Sequence, residues 1–291
     1  MTVEDDPNDP VKMLLGVLRL DEGAARTEED IFVGDSHPMP GGRIYGGQVV
    51  AQCVIAATRT IDADRPAHSL HGYFLRAGDV RLPTTFAVDR IHDGRSFARR
   101  RVQAYQDGVP IFSGIISFQQ DDPGLSHQVE MPEVPAPEDI DASGTSPQDD
   151  ARIMRRNPIE ARRVPGPVLA EMSSQAPHQA TWLRVKRDLG DDPRLQQAAL
   201  AYMSDFTIQE SSLRATGISW RTEGLKSASL DHAIWWHRAA RADDWLLYVA
   251  ESPVSRGGRG MNVGRLYSRD GALVASVAQE IMMRVPVSRD A

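Results

Sequence analysis

The sequence predicts an α+β protein of two tandem units, each a long helix followed by antiparallel strands, with both units sharing one sheet. Three observations carry this expectation. The 291-residue chain divides around a proline-rich middle, where nine of its 19 prolines lie between Pro123 and Pro177. Each flank holds one helical pattern with a single apolar stripe, followed by several strand-like segments. Each flank also closes on two such segments joined by Asp-Gly, a strong hairpin-turn signal.

In the first flank Gly46-Gly47-Gln48 precedes a helix whose apolar Val50, Cys53, Val54, Ala57 and Ile61 fall on one face. Strand-like segments follow at 68–75, 84–91, 97–105 and 109–119, the last two flanking Asp107-Gly108. In the second flank Asp192 reads as an N-cap with Pro193 at the first helical position. Leu195, Ala198, Ala199, Tyr202, Met203 and Phe206 then repeat the one-faced spacing. Strand-like segments follow at 227–237, 245–252, 261–268 and 272–283, the last pair flanking Asp270-Gly271. Ser69-Leu70 matches Ser229-Leu230, and Ser113 and Ser276 stand equally far past their Asp-Gly turns. The expected division is an N-terminal unit over 1–120, an irregular Pro-rich linker over 121–179, and a C-terminal unit over 180–291. One apolar helix stripe and one apolar sheet face can bury each other, and two such units on one sheet make the arrangement of a double hotdog. A parallel α/β fold is disfavoured, because helices do not alternate with the strands.

Composition narrows the function. Hydrophobic residues at 41% and charged residues at 25% argue against wholesale disorder. A net charge of −7 argues against a dedicated duplex-DNA binder, so no nucleic-acid partner is expected. The single cysteine, Cys53, excludes an intrachain disulfide framework and a Cys-based zinc cluster. The N-terminus is acidic and Pro-rich, unlike a signal peptide. The longest apolar stretch, near 49–57, is too short to span a membrane. A soluble, cytoplasmic protein is the simplest expectation.

Several candidate chemistries are weak. No G-x-S-x-G nucleophile elbow occurs. Gly34-Asp35-Ser36-His37 reads better as a turn-rich loop than as a hydrolase motif. Cys53 lies on an apolar stripe and reads as structural. His68 and His71 would point to opposite faces of a strand, so no metal site is expected there. Gly257-Gly258-Arg259-Gly260 lacks the lysine of a phosphate loop. Arg256 and Arg259, and the run Arg95, Arg99, Arg100 and Arg101, are either solvated faces or contacts for ligand phosphates. Asp205 is more informative. Counting about 100° per residue from Leu195, the apolar stripe spans roughly −60° to +80° and Asp205 falls at about −80°, on its edge. A carboxylate there is partly shielded from water, which raises its pKa and suits a general base. Spacing alone leaves open a boundary residue leaning into solvent.

Longer motifs add a resemblance. Tyr45-Gly46-Gly47-Gln48-Val49-Val50, His68-Ser69-Leu70-His71-Gly72-Tyr73-Phe74-Leu75-Arg76-Ala77-Gly78-Asp79 and Asp93-Gly94-Arg95-Ser96-Phe97 occur in the first flank. Tyr202-Met203-Ser204-Asp205, Ser229-Leu230-Asp231-His232-Ala233-Ile234-Trp235-Trp236-His237-Arg238, Asp244-Trp245-Leu246-Leu247-Tyr248 and Ala275-Ser276-Val277-Ala278-Gln279-Glu280 follow in the second. Taken in this order, they resemble the type II acyl-CoA thioesterases over nearly the whole chain outside the N-terminus and the linker. The resemblance implies a double hotdog that hydrolyses fatty acyl-CoA to acid and CoA by direct attack of water. It implies no cofactor, no metal and no covalent intermediate. It places the roles of holding and polarising the water on Asp205, Ser229 and Gln279. Many relatives carry threonine where this chain has Ser229, which keeps the hydroxyl but frees the rotamer. Ala77 stands where relatives carry proline, a matter of loop stiffness.

Oxyanion donors are expected among backbone N–H groups at a helix start, and His71 is held in reserve as an acid or base. Two rival readings remain. One is a hotdog acyl dehydratase, for which Asp231-His232 offers a His and an acid, although strand neighbours face opposite ways. The other is a non-catalytic acyl-CoA binding module. Open sheet edges predict a homo-oligomer, dimer or tetramer.

Overall fold

The computed structural model describes residues 9–22, 29–39, 41–140, 157–164 and 178–286. The elements run α1 (Pro10–Leu18), β1 (Asp21–Glu22), β2 (Asp30–Gly34), α2 (Gly46–Thr58), β3 (Ala67–Phe74), β4 (Thr84–Asp93), β5 (Phe97–Gln106) and β6 (Val109–Gln119). After a 3-10 turn at Pro137–Asp139 come β7 (Ile159–Arg163), β8 (His178–Val185), α3 (Pro193–Ser204), α4 (Glu210–Ala215), β9 (Lys226–Ser229), β10 (Asp231–Trp236), β11 (Leu246–Arg256), β12 (Arg259–Ser268) and β13 (Leu273–Arg284).

The strands form one antiparallel sheet in the order β1-β2-β4-β5-β6-β3-β10-β13-β12-β11-β8-β7, with β9 added on β13. This order is a mirror. β2, β4, β5, β6 and β3 of the first unit answer β8, β11, β12, β13 and β10 of the second. The units join where β3 pairs β10, with His71 opposite Ala233 and Leu70 opposite Ile234. The double hotdog is thus the fold observed, and α2 and α3 pack together inside it.

α3 begins as the sequence implies, and α1, which the sequence reading does not include, begins in the same way. The Asp192 side chain accepts from the Arg194 amide at 2.9 Å, and Pro193 occupies the first turn. Asp9-Pro10 does the same for α1, where Asp9 accepts from the Val11 amide at 3.0 Å. The acidic, Pro-rich N-terminus therefore holds a helix start, and Val11, Leu14, Val17 and Leu18 of α1 join the core. α2 departs from the one-striped expectation. Apart from Gly46 and Ile55 its residues are buried on all sides, including Gln48 and Gln52. The sheet covers one side, and α1 and α3 cover the others. The two glutamines are tolerated because they are bonded: Gln48 Oε1 accepts from the His37 amide, and Gln52 Nε2 donates to the carbonyls of Val17 and Asp35.

Within 121–179, read from the sequence as an irregular connection, Ile159–Arg163 pairs with β8, and Ile140 and Val164 enter a second apolar cluster with Trp182 and Trp245. The expected strand over 227–237 is split at Leu230 into β9 and β10. On β13, Ile281 pairs with Ser229, while Ala278 pairs with Ala233. Leu230, Asp231 and His232 therefore oppose only Gln279 and Glu280, which makes a β-bulge.

Candidate active site

Asp205 caps the C-terminus of α3 and is only 4% exposed. Helix geometry carries it off the end of the stripe and down against the sheet, rather than out to solvent. Its Oδ1 accepts from Gln279 Nε2 at 2.5 Å, and Ser229 Oγ stands 3.5 Å from the same oxygen, at the limit of a hydrogen bond. Its Oδ2 accepts from the Gly47 amide at 2.8 Å. The three residues expected from the sequence, Asp205, Ser229 and Gln279, thus meet at one point, and the first unit adds a fourth group through the start of α2.

That start is built for close approach. A Cβ on Gly46 would stand 2.8 Å from Asp205 Oδ2, and one on Gly47 would collide with the Tyr202 carbonyl oxygen. Tyr45, at the N-cap, makes no side-chain cap bond and donates its hydroxyl to that same Tyr202 carbonyl at 3.0 Å. The Gly47 N–H that such a helix start leaves unsatisfied is therefore aimed at a carboxylate. Sequence reasoning assigns amides at a helix start to an oxyanion; this one bonds the Asp205 carboxylate instead.

Burial pushes the Asp205 carboxyl up to about 6, against the opposing pull of the bonds from Gln279, Gly47 and Ser229. Burial first, and then the Asp205 charge, raises the phenols of Tyr45, Tyr202 and Tyr248. Tyr248 donates to the Ser204 carbonyl at 2.7 Å and fixes the end of α3. Gln279 is fully buried, and its Oε1 has no hydrogen-bond partner among the described residues. An acceptor in that state, beside a carboxylate near its titration point, suits a water that gives one hydrogen to each.

Two further residues belong to the site. Gln209, just before α4, donates to Ser229 Oγ at 2.9 Å and accepts from Ser227 Oγ at 3.1 Å. His232 lies 3.1 Å from Gln279 Nε2 through Nδ1 and 2.8 Å from Ser204 Oγ through Nε2. Sequence reasoning offers His232 only as a dehydratase partner of Asp231. The structure separates that pair: Asp231 accepts from the Glu280 amide at 2.7 Å, while His232 is buried against α3. His232 enters through the bulge and Gln209 through the turn before α4, and no sequence period announces either.

The other candidates fall elsewhere. His71 is exposed on the outer face and edges Trp235, so its reserve role is withdrawn. His68 bonds Ser117 Oγ at 2.8 Å. Cys53 is buried with its thiol pKa raised by burial, the opposite of an activated nucleophile. Gly34 ends β2, and the Asp35 carbonyl is taken by Gln52. Of the arginine run, Arg100 is 2% exposed and is held by Thr60 and Asp93, so it is structural. Among the described residues no three His, Cys, Asp or Glu side chains cluster as metal ligands.

The double hotdog, with a buried carboxylate bonded from both of its units, defines the class of protein. Comparison with known proteins narrows the class. Residues 34–119 match the family model described as the acyl-CoA thioesterase N-terminal domain, and residues 126–283 match that of the C-terminal domain. Human acyl-coenzyme A thioesterase 8 is 37% identical over 276 residues, covering 89% of this chain and 86% of that one. Acyl-CoA thioesterase 2 of Haemophilus influenzae is 31% identical, covering 95% of this chain and 99% of that one. The crystal structure of an acyl-CoA thioesterase II from Mycobacterium marinum superposes with a TM-score of 0.79 at 40% identity, over 94% of this chain and 98% of that one. The chain belongs to the acyl-CoA thioesterase family.

Proposed function

We propose that the chain hydrolyses acyl-CoA to free acid and CoA by direct attack of water, with Asp205 as general base and Ser229 and Gln279 holding the water. The observation that supports this most is the buried Asp205 carboxylate, raised to about 6 and flanked by the orphaned Gln279 Oε1. Water gives a proton to Asp205 as its oxygen bonds the thioester carbonyl carbon, the tetrahedral intermediate breaks its C–S bond to expel the thiolate of CoA, and the proton held on Asp205 passes to that thiolate, which restores the carboxylate. The thiolate is a ready leaving group, so the protein's task is to activate and orient the weak nucleophile. Ser229, anchored by Gln209, and Gln279 supply that orientation. Ser229 Oγ is held by Gln209 at 2.9 Å and stands 3.5 Å from Asp205 Oδ1; in this reading Asp205 takes its proton from water rather than from Ser229, and no acyl-enzyme accumulates.

The CoA end is assigned to the β11–β12 hairpin, where Arg256 and Arg259 are exposed. Arg259 pairs with Glu280 at 2.8 Å, next to Gln279 along β13. The acyl end is assigned to the apolar space between helix and sheet. The same reading divides the chain at 1–120, 121–179 and 180–291, places it in the cytoplasm, and assembles it as a dimer or tetramer through the sheet ends. The test is release of free thiol from acyl-CoA by the wild type and by Asp205→Asn. The variant should lose about 10²–10⁴ in kcat, and a folded variant with near wild-type turnover removes the assignment.

A further inference from the structure

We propose that His232 is a positioning residue that fixes which way round the Gln279 amide sits. The inference rests on the function proposed above and deepens it. Two acceptors, Asp205 Oδ1 at 2.5 Å and His232 Nδ1 at 3.1 Å, converge on one end of the Gln279 amide. Only the NH₂ end carries two hydrogens, so one self-consistent arrangement satisfies both. It requires a neutral imidazole with its hydrogen on Nε2. Ser204 Oγ, 2.8 Å from Nε2, accepts that hydrogen and passes its own to the Ala201 carbonyl at 2.8 Å. The chain from α3 through His232 to Gln279 then has every donor matched to an acceptor. Burial lowers the His232 pKa to about 4, so the ring stays neutral wherever Asp205 is ionised.

The consequence is directional. With nitrogen held toward Asp205, Gln279 Oε1 is turned the other way, as the acceptor left for water. If the amide flipped, its oxygen would face the carboxylate, an arrangement acceptable only when Asp205 is protonated. His232 opposes that flip, because Nδ1 would then face an oxygen lone pair. It therefore favours ionised Asp205 through Gln279, without touching the reacting atoms. The titratable groups facing Asp205 from the neighbouring elements are Tyr45, Tyr202 and Tyr248, whose phenols are all raised. Asp231 is spent on the Glu280 amide.

The experiment compares His232→Leu, His232→Asn and Ser204→Ala with wild type, with Asp205→Asn run in parallel, reading kcat, KM and the pH profile for an acyl-CoA. His232→Leu removes the acceptor at similar volume: kcat should fall about 10- to 100-fold, KM should stay close to wild type, and the acid limb should move to higher pH. His232→Asn returns an oxygen near the Nδ1 position and should restore most of kcat and the original limb. Ser204→Ala frees the ring tautomer and should shift both readouts in the same direction by less; this variant carries the test if His232→Leu does not fold. Equal losses in the Leu and Asn variants with an unmoved acid limb would reduce His232 to packing and overturn the inference, as would a folded His232→Leu with wild-type kinetics. An active Asp205→Asn would instead bring down the underlying function.

Discussion

Asp205 shows how one residue sets rate and stability in opposite directions. As the proposed base it must be ionised, so kcat/KM should rise with pH through about 6, the value to which burial lifts it. The same lift costs stability. The native carboxyl binds its proton more tightly than the unfolded one, so wild-type stability falls as pH rises from about 3.8 to about 6 and stays lower above. Asp205→Asn does not titrate. Relative to wild type it should gain on the order of 3 kcal/mol between pH 3 and pH 7, since each tenfold tightening of proton binding is worth about 1.4 kcal/mol. Denaturant unfolding of both proteins at the two pH values measures this directly, and parallel stabilities across the range would show that the carboxyl is not lifted. The offset at any one pH is less telling, because an asparagine must turn its NH₂ toward either Gln279 or Gly47. Part of this residue-scale picture is legible in the chain. The 3.6-residue period puts Asp205 on a stripe edge, and the resemblance supplies Ser229 and Gln279. Burial at 4% and the partners that tune the carboxyl depend on elements far away in sequence.

At the scale of elements, two devices bring the site together: a tight meeting of helix ends and an extra residue in a strand. The start of α2 touches the end of α3 through glycines that leave no room for a side chain. Gly47→Ala should therefore cost about 1–3 kcal/mol of stability through overpacking and at least about tenfold in kcat through displacement of the Gly47 N–H from Asp205. Thermal unfolding and thiol release on the purified variant check both. An unchanged kcat would mean that the approach of α2 is not part of the machinery. The bulge does the complementary work. Residues 229 and 232 of a regular strand point to opposite faces, yet Ser229 and His232 both reach the network around Asp205. The extra residue at 230–232 re-aims one of them. The helix start at Asp192-Pro193 and the Asp-Gly hairpins are readable in the chain, because their signals are local. The bulge is not, since it is a difference between two pairing registers. The strands that precede each helix, β2 and β8, escape sequence reading for another reason. β8 is buried at nearly every position and shows no alternation, the main strand signal a single sequence offers.

For the whole molecule, the substrate has to lie across two kinds of surface. In the proposed binding mode an acyl chain enters apolar space at about 0.8 kcal/mol per buried CH₂, and the CoA phosphates lie at the wet rim near the exposed Arg256 and Arg259. KM for acyl-CoA should rise with ionic strength, and KM for an acyl-pantetheine lacking those phosphates should change less. Measuring both at low and high salt, with kcat as a control, checks it; equal salt dependence would take the arginines out of substrate binding. Because Arg259 is already paired with Glu280, the expected salt effect is smaller than two free arginines would give.

The mirrored sheet order has a consequence best put in genetic terms. Arg59 caps α2 where Asp205 caps α3, and Ile116 stands as far past Gly108 as Gln279 stands past Gly271. The first repeat therefore lacks the carboxylate and the amide of the second, and contributes to chemistry mainly by lending the Gly47 amide across the seam. The two repeats are no longer interchangeable copies. On the proposed function, mutations at Asp205 or Gln279 are screened through turnover and mutations at Arg59 or Ile116 through the fold, so a change in one repeat does not stand in for a loss in the other. On that reading the labour is divided, with one repeat as the frame and the other as the workshop.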